Sequence, residues 1–256
     1  MISAIIITKN EEKNIADCIA SLSFVQEIIV VDSRSEDHTR EIAQSLGAIV
    51  LNEDWQGYGN HKNIGSKVAT HDTLLFLDAD ERISPELRQE ILKIDVSPEH
   101  SVYWITVEDI FLGRRLRHLV GHNPRLAQKS KAIWNKNPVH EQLLYTDTQE
   151  IVKYKDDRSG EITAPIIHHS HETIASYLQK MHRYTSLDAK RMKQTGAHRS
   201  GRSIQDSILL PYKLGCRQFI KLLVYKKGIL DGWQGIVWCV VSAYYEFEMG
   251  KKYRTL

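Results

Sequence analysis

Cysteine is scarce in this 256-residue chain. The three present, Cys18, Cys216 and Cys239, are too widely separated for a disulfide framework or a paired-cysteine zinc site, and a reducing cytoplasm is the expected compartment. No run of about twenty apolar residues occurs, so no spanning helix is expected. The N-terminus has no basic opening and its short apolar run meets charge at Lys9, which is not the pattern of a secretory signal. Internal repeats and low-complexity linkers are also missing. A composition of 42% hydrophobic and 26% charged residues excludes disordered and fibrous classes.

Net charge is only +2, but it is unevenly spread. From Met181 onward there are 14 Lys/Arg against 5 Asp/Glu, a net of +9, so the first 180 residues carry −7. An acidic front and a basic tail suggest different partners for the two parts. No nucleic-acid partner is expected.

The first hundred residues alternate short β-branched runs with helical spacings. Residues 3–8 (SAIIIT), 27–31 (EIIVV), 48–51 and 73–77 (TLLFL) read as buried strands. Residues 10–22, 36–46, 57–68 and 85–94 read as helices. Asn10 is a possible cap for the first, Gly47 follows the second, and Ser84 with Pro85 opens the last. Such alternation implies crossover connections and a mostly parallel sheet. After residue 101 the rhythm changes. Residues 102–107, 114–119, 151–155 and 162–167 read as further strands, 172–193 as a long helix, and 204–225 and 229–247 as apolar, basic-flanked helices.

In an open α/β sheet, ligands bind beyond the carboxyl ends of the strands. Two of the expected strands end there in acid: VVDSRSEDHT brings Asp32, and LFLDADERIS brings Asp78, Asp80 and Glu81. Two carboxylates two residues apart, just past a buried strand, suit a hard divalent cation that also bridges phosphate oxygens, Mg²⁺ or Mn²⁺. Capping of the turn before Pro85 is the alternative use for such residues, but three acids exceed any capping need.

With SAIIITKNEE, EIIVVDSRSEDHT and LFLDADE in this order, the chain resembles the family 2 glycosyltransferases. Segments NPVHEQL, IIHHSHETIASYLQK and GILDGWQG extend the likeness toward the lipopolysaccharide core glucosyltransferases. The resemblance implies a GT-A-type α/β fold: a mostly parallel sheet flanked by helices, with a C-terminal helical extension. Residues 1–200 would form the catalytic domain (1–100 the nucleotide half, 101–200 the acceptor half), and 201–256 a membrane-associating region. Thr8 and Asn10 would contact the nucleoside, Asp32 the uracil, and Lys62 in GNHKNIG the nucleotide phosphates. Asp78 would hold ribose or metal, and Asp80 the metal. His168, from the His168/His169/His171 cluster, either completes the metal site or binds the diphosphate, or else serves with its neighbours to cap the following helix and contact the sheet.

Sugar transfer with inversion needs a base for the acceptor hydroxyl, apart from the metal pair. Glu141 in NPVHEQL is the candidate, with adjacent His140 the alternative. Arg125 is a candidate contact for a diphosphate or an acidic acceptor, and Arg114, Arg115 and Arg117 share that chemistry. The apolar stretches of the tail mix Lys and Arg with Trp233, Trp238, Tyr244 and Tyr245, a pattern suited to an anionic membrane surface. The expected enzyme therefore moves a hexose, glucose by resemblance, from a UDP-sugar to a lipid-linked oligosaccharide of the lipopolysaccharide inner core. It would work at the cytoplasmic face of the inner membrane. A sugar-nucleotide-forming enzyme is disfavoured because TKNEEKN lacks a Gly-rich basic phosphate loop. A non-catalytic or receiver-like nucleotide- or metal-binding module scaffolding a membrane complex is the remaining alternative.

Overall fold

The computed structural model describes residues 1–94, 100–137, 141–171, 173–198 and 200–256. Its chain divides into two compact units. The first is Met1–Val107 with Gly121–His168, and the second is Glu108–Val120 with His169–Leu256. This partition by compactness falls at 168/169, whereas the sequence-based boundary at 200/201 was drawn by expected role.

In chain order the elements are β1 (Ile2–Thr8), α1 (Ile15–Ser21), β2 (Glu27–Asp32), α2 (Thr39–Ser45), β3 (Ile49–Asn52), α3 (Tyr58–Val68), β4 (Thr73–Asp78), β5 (Glu81–Ile83) and α4 (Pro85–Ile91). Then come β6 (Val102–Phe111), β7 (Arg114–Arg115), β8 (Gly121–Gln128), β9 (Ala132–Trp134), β10 (Leu143–Tyr145), β11 (Ser159–His171), α5 (Ile174–Thr195), α6 (Leu210–Ile220) and α7 (Gly232–Thr255). A π-helical turn (Lys221–Tyr225) and a 3-10 turn (Gly228–Asp231) separate α6 from α7.

The main sheet has the order β3-β2-β1-β4-β8-β6-β11-β5. Pairings among β1, β2, β3 and β4 are parallel. Those of β8 with β4 and β6, and of β11 with β5, are antiparallel. The sheet is thus mixed rather than mostly parallel: α4 lies between β4 and β6, but β8 follows β6 with no helix between them and runs antiparallel to both β4 and β6. β1 is buried on both faces: Ala4 and Ile6 enter one apolar cluster, Ile5 and Ile7 the other. Such burial explains a near-continuous apolar run where a one-sided strand would alternate. Each fully buried Ile contributes about 1.5–3 kcal/mol relative to exposure.

Pro124 stands inside β8 although that strand has neighbours on both sides. The pairing with β4 covers only Leu126–Gln128, and the ladder to β6 shifts register at Tyr103/Trp104, opposite Pro124. The proline therefore occupies a bulge where its missing N–H removes no ladder bond to β4.

Three local expectations are corrected. Asn10 is not a helix cap: it has φ 54°, and α1 starts later, after Asn14. Of residues 114–119 only Arg114–Arg115 pair, with β6; the amides of Arg117, His118 and Leu119 turn instead to the Asp231 carboxylate. Residues 151–155 form a single bridge, Ile151 to Leu144, and Lys155 at φ 62° leaves extended geometry. Ser84 caps α4 as expected, its hydroxyl accepting from the Leu87 amide at 3.1 Å with Pro85 in the first turn.

The second unit holds two apolar clusters. Phe111, Leu116, Leu119, Tyr177, Met181 and Cys239 are in one, and Ala189, Met192, Leu210, Met249 and Tyr253 in the other. Among the described residues no helix is long and apolar enough to cross a membrane.

Helix α3 owes its place in the first unit to two glycines. A Cβ on Gly65 would lie 2.5 Å from Ile5 Cγ2 and 3.1 Å from Val31 Cγ2, and one on Gly59 would lie 2.1 Å from the Asn135 carbonyl oxygen. Gly65→Ala is expected to destabilise the protein by about 1–3 kcal/mol through overpacking, despite alanine's better helix propensity. Urea denaturation checks this; an unchanged or higher midpoint would mean that the helix can move off the sheet freely.

Candidate active site at the carboxyl ends of the parallel strands

Register places three nominated residues side by side. Thr8 pairs with Asp32 and Ile7 with Asp78 across β1, β2 and β4. The segments that follow β1 and β2 are tied to each other. The Asn10 amide donates to Ser35 Oγ and its Oδ1 accepts from the Glu36 amide, both at 2.8 Å. The Glu11 amide donates to Thr39 Oγ1 at 2.8 Å, and the Glu12 amide to Asp37 Oδ2 at 3.1 Å. Asp32 is fully buried. Its oxygens accept from the Ser35 amide (2.8 Å) and hydroxyl (2.5 Å), and Arg40 Nε lies at 3.9 Å. Asp32 thus anchors the turn after β2. The Thr8 hydroxyl is buried without a hydrogen-bond partner among the described residues.

The loop after β4 carries the acidic run. The Asp78 amide donates to Glu81 Oε2 at 2.9 Å. From β8, Arg125 Nη2 donates to Asp78 Oδ2 at 3.2 Å and to Glu81 Oε1, forming ion pairs with both. Burial alone would raise the Asp78 carboxyl, but Arg125, then Lys62 and His168, outweigh it and hold the group well below the usual carboxylate range. Burial, reinforced by the Asp78 charge, raises Glu81 instead. Of the two, Asp78 is the firmly ionised one. Its Oδ1 is shielded and has no hydrogen-bond partner among the described residues.

β5 brings the histidine. It pairs antiparallel with β11, setting His168 opposite Glu81, and His168 Nε2 lies 3.3 Å from Asp80 Oδ2. This short strand is absent from the sequence reading, because three residues, Glu-Arg-Ile, carry no period.

Lys62 projects from α3. Its Nζ is 2.5 Å from Glu141 Oε1 and 4.4 Å from the Trp134 ring centroid, with Lys62 only 3% exposed. The β9–β10 hairpin that flanks Glu141 is held to the same helix. Asn63 Nδ2 donates to the Trp134 carbonyl (2.8 Å), and the Trp134 amide donates back to Asn63 Oδ1 (3.0 Å). His140, the alternative base, lies outside the described residues.

The structure therefore gathers Lys62, Asp78, Asp80, Arg125, Glu141 and His168 around one sheet edge, with Thr8 and Asp32 at the adjoining strand ends. Glu81, Asn63 and Trp134 were not nominated. Glu81 was visible in the acidic run, whereas nothing in the sequence marks the pairing of Asn63 with Trp134.

The donor set suits a divalent cation shared with a substrate. Asp78 Oδ1 is a carboxylate oxygen with no hydrogen-bond partner among the described residues, and Asp80 and His168 stand together. Among the described residues no three His, Cys, Asp or Glu side chains close into a metal site by themselves. Mg²⁺ and Mn²⁺ are commonly held by one or two carboxylates together with substrate phosphates, so an incomplete protein shell fits such an ion.

The family model for glycosyl transferase family 2 matches residues 3–183. The chain belongs to glycosyltransferase family 2. It is 30% identical to an uncharacterized glycosyltransferase of Rickettsia prowazekii, over the whole of this chain and 87% of that protein. It is 24% identical to the lipopolysaccharide core biosynthesis glycosyltransferase LpsC of Rhizobium meliloti, over 76% of this chain and 73% of that one. Among solved structures it resembles a mannosyltransferase from Pyrobaculum calidifontis in complex with GDP-Man and Mn²⁺. The TM-score is 0.57 at 13% identity, covering 99% of this chain and 86% of that one. The fold is GT-A, and the chain is a nucleotide-sugar-dependent transferase by family.

Arg125 and Glu81 are 5% and 1% exposed, so removing the guanidinium would strand a buried carboxylate. Arg125→Met is expected to cost about 3–5 kcal/mol, the range for breaking one side of a buried pair. Denaturant titration measures it; a loss below about 1 kcal/mol would show that solvent screens this pair as it does surface pairs.

Proposed function

We propose that this family 2 enzyme transfers a hexose, with glucose as the favoured sugar, from a UDP-sugar to a lipid-linked oligosaccharide of the lipopolysaccharide inner-core type, with inversion at the anomeric carbon. The observation that carries the reading is the presence of two separate carboxylate sets at one sheet edge: Asp78 and Asp80 beside His168, and Glu141 held by Lys62.

Inverting displacement needs charge stabilisation where the diphosphate departs and a proton acceptor where the hydroxyl attacks. Asp80 and His168, with Asp78, would hold Mg²⁺ or Mn²⁺, which when bound supplies positive charge to the donor diphosphate. Arg125 keeps Asp78 ionised for that role. Lys62 would add an ammonium on the phosphate side. Thr8 and Asn10 would border the nucleoside, and Asp32 would shape its pocket by fixing the turn after β2. Glu141 offers the proton acceptor: Lys62 bonds Oε1, which leaves Oε2 for the acceptor hydroxyl.

The sugar and the inner-core acceptor follow from the resemblance of the sequence segments, and similarity to LpsC supports the acceptor class. Peripheral attachment to the cytoplasmic face of the inner membrane is supported by the second unit, where Val224, Tyr225, Ile229, Leu230 and Trp233 are exposed beside Lys226 and Lys227.

The deciding experiment is calorimetric titration of UDP into the protein, with Mn²⁺ and then with EDTA. Binding is expected only with metal, and Asp80→Ala is expected to abolish that dependence. No binding by folded protein in either condition would favour the scaffold reading instead. Glu141→Gln is expected to retain UDP-sugar binding while lowering kcat by at least about 10²-fold, the usual contribution of a positioned base. Undiminished turnover would move the base elsewhere.

A further inference from the structure

The second unit contains a cavity of about 490 Å³ lined by Gly113, Arg114, Arg115, Arg117, His118, Leu230, Asp231 and Gln234. Its volume falls within the range of small-molecule sites, about 300–1,000 Å³. Three of its lining residues are arginines and one is an aspartate, a net of +2 before His118 is counted. Arg115 is paired with Glu108, which offsets one of these charges. Arg114 and Arg117 are exposed, and neither forms an ion pair among the described residues.

The backbone of the loop that carries Arg117 and His118 is held in place. Asp231 is 2% exposed, and its carboxylate accepts from the amides of Arg117 (3.0 Å), His118 (3.0 Å) and Leu119 (3.1 Å) and faces His118 Nδ1 at 2.9 Å. That set of bonds fixes the 117–119 loop against the turn that opens α7 and leaves the Asp231 charge already satisfied. Arg114 lies against the first residue of the same helix: a Cβ on Gly232 would come within 2.9 Å of Arg114 Nη1, and Gly232 has φ +74°. A guanidinium at a helix N-terminus is repelled by the helix dipole. Two arginines without an ion pair among the described residues and the positive end of α7 therefore converge on one cavity, an arrangement that an anion would relieve. Gln234 adds a second requirement. Its Oε1 is buried and has no hydrogen-bond partner among the described residues, so it calls for a hydroxyl or N–H donor.

We infer that this cavity binds a phosphorylated sugar of the acceptor, with its phosphate on Arg114 and Arg117 and a sugar hydroxyl on Gln234. Arginine's planar fork matches phosphate oxygens in pairs. The inference rests on the transferase reading only in naming the acceptor as the bearer of the phosphate.

The test is calorimetric titration of the full chain, its donor site filled with UDP and Mn²⁺, using glucose 6-phosphate, glucose and inorganic phosphate as probes. Glucose 6-phosphate is expected to bind and to exceed inorganic phosphate in affinity, and glucose is expected not to bind. The double variant Arg114→Gln/Arg117→Gln is expected to lose at least about tenfold in that affinity while binding UDP as the parent does. Both side chains are exposed, and UDP binding reports on the fold of the first unit; a circular dichroism spectrum reports on the second. Failure of both phosphate probes to bind, or equal affinity in the double variant, overturns the inference. Vesicles of phosphatidylcholine with and without phosphatidic acid distinguish the bearer. Retention that depends on phosphatidic acid and on the two arginines, with no competition from glucose 6-phosphate, would assign the cavity to a lipid headgroup and overturn the sugar assignment. If UDP itself does not bind, the same titrations run without it, so failure of the donor-site reading and failure of this inference remain separate results.

Discussion

The Arg125 guanidinium, enclosed between Asp78 and Glu81, is the interaction on which the candidate site depends. Two carboxylates so close at the end of a buried strand would otherwise repel, and burial would drive both toward the neutral form. One guanidinium from β8 changes the outcome. It holds Asp78 charged, and it joins the parallel half of the sheet to the antiparallel half through side chains as well as through the β4–β8 ladder. The loop that carries Asp80 starts from this fixed point, and β5, immediately after it, aligns His168. The ion pair is thus a scaffold for the residues around it as much as a contribution to charge balance.

Charges at this edge alternate in sign: Glu141, Lys62, Asp78, Arg125, Glu81. A site whose charges are neutralised by side chains from different elements is organised before any substrate arrives, which is the condition under which electrostatic stabilisation acts without reorganisation. The second unit follows a related principle with the opposite balance. There a buried aspartate organises backbone amides, and Arg114 and Arg117 beside it form no ion pair among the described residues.

Much of the parallel half was legible in the sequence, since apolar runs ending in acid and separated by helical spacings have few other interpretations. Lys62, Asp78, Asp80, Arg125, Glu141 and His168 were nominated from residue chemistry and from likeness to the family, and the fold gathers them. Their pairing was not legible. Lys62 and Glu141 are 79 residues apart, and Arg125 and Glu81 are 44 apart, and no local pattern encodes such contacts. β8 was missed because GHNPRLAQ contains Gly, Asn and Pro, which read as a loop; a bulge accommodates the proline. The strand expected at 114–119 failed for the converse reason. Its composition suits a strand, but a carboxylate from 112–114 residues further along the chain draws its amides away.

The glycines of α3 have a consequence for how such a site varies between related chains. Gly59 and Gly65 let the helix approach the sheet and the Asn135 backbone, and that approach sets how far the Lys62 ammonium reaches. The dimensions of the charged edge are thus encoded in two missing side chains. Drift at polar positions would retune its chemistry in place, whereas drift at either glycine would resize it, so comparison of acidic and basic residues alone would overlook the positions that govern its geometry.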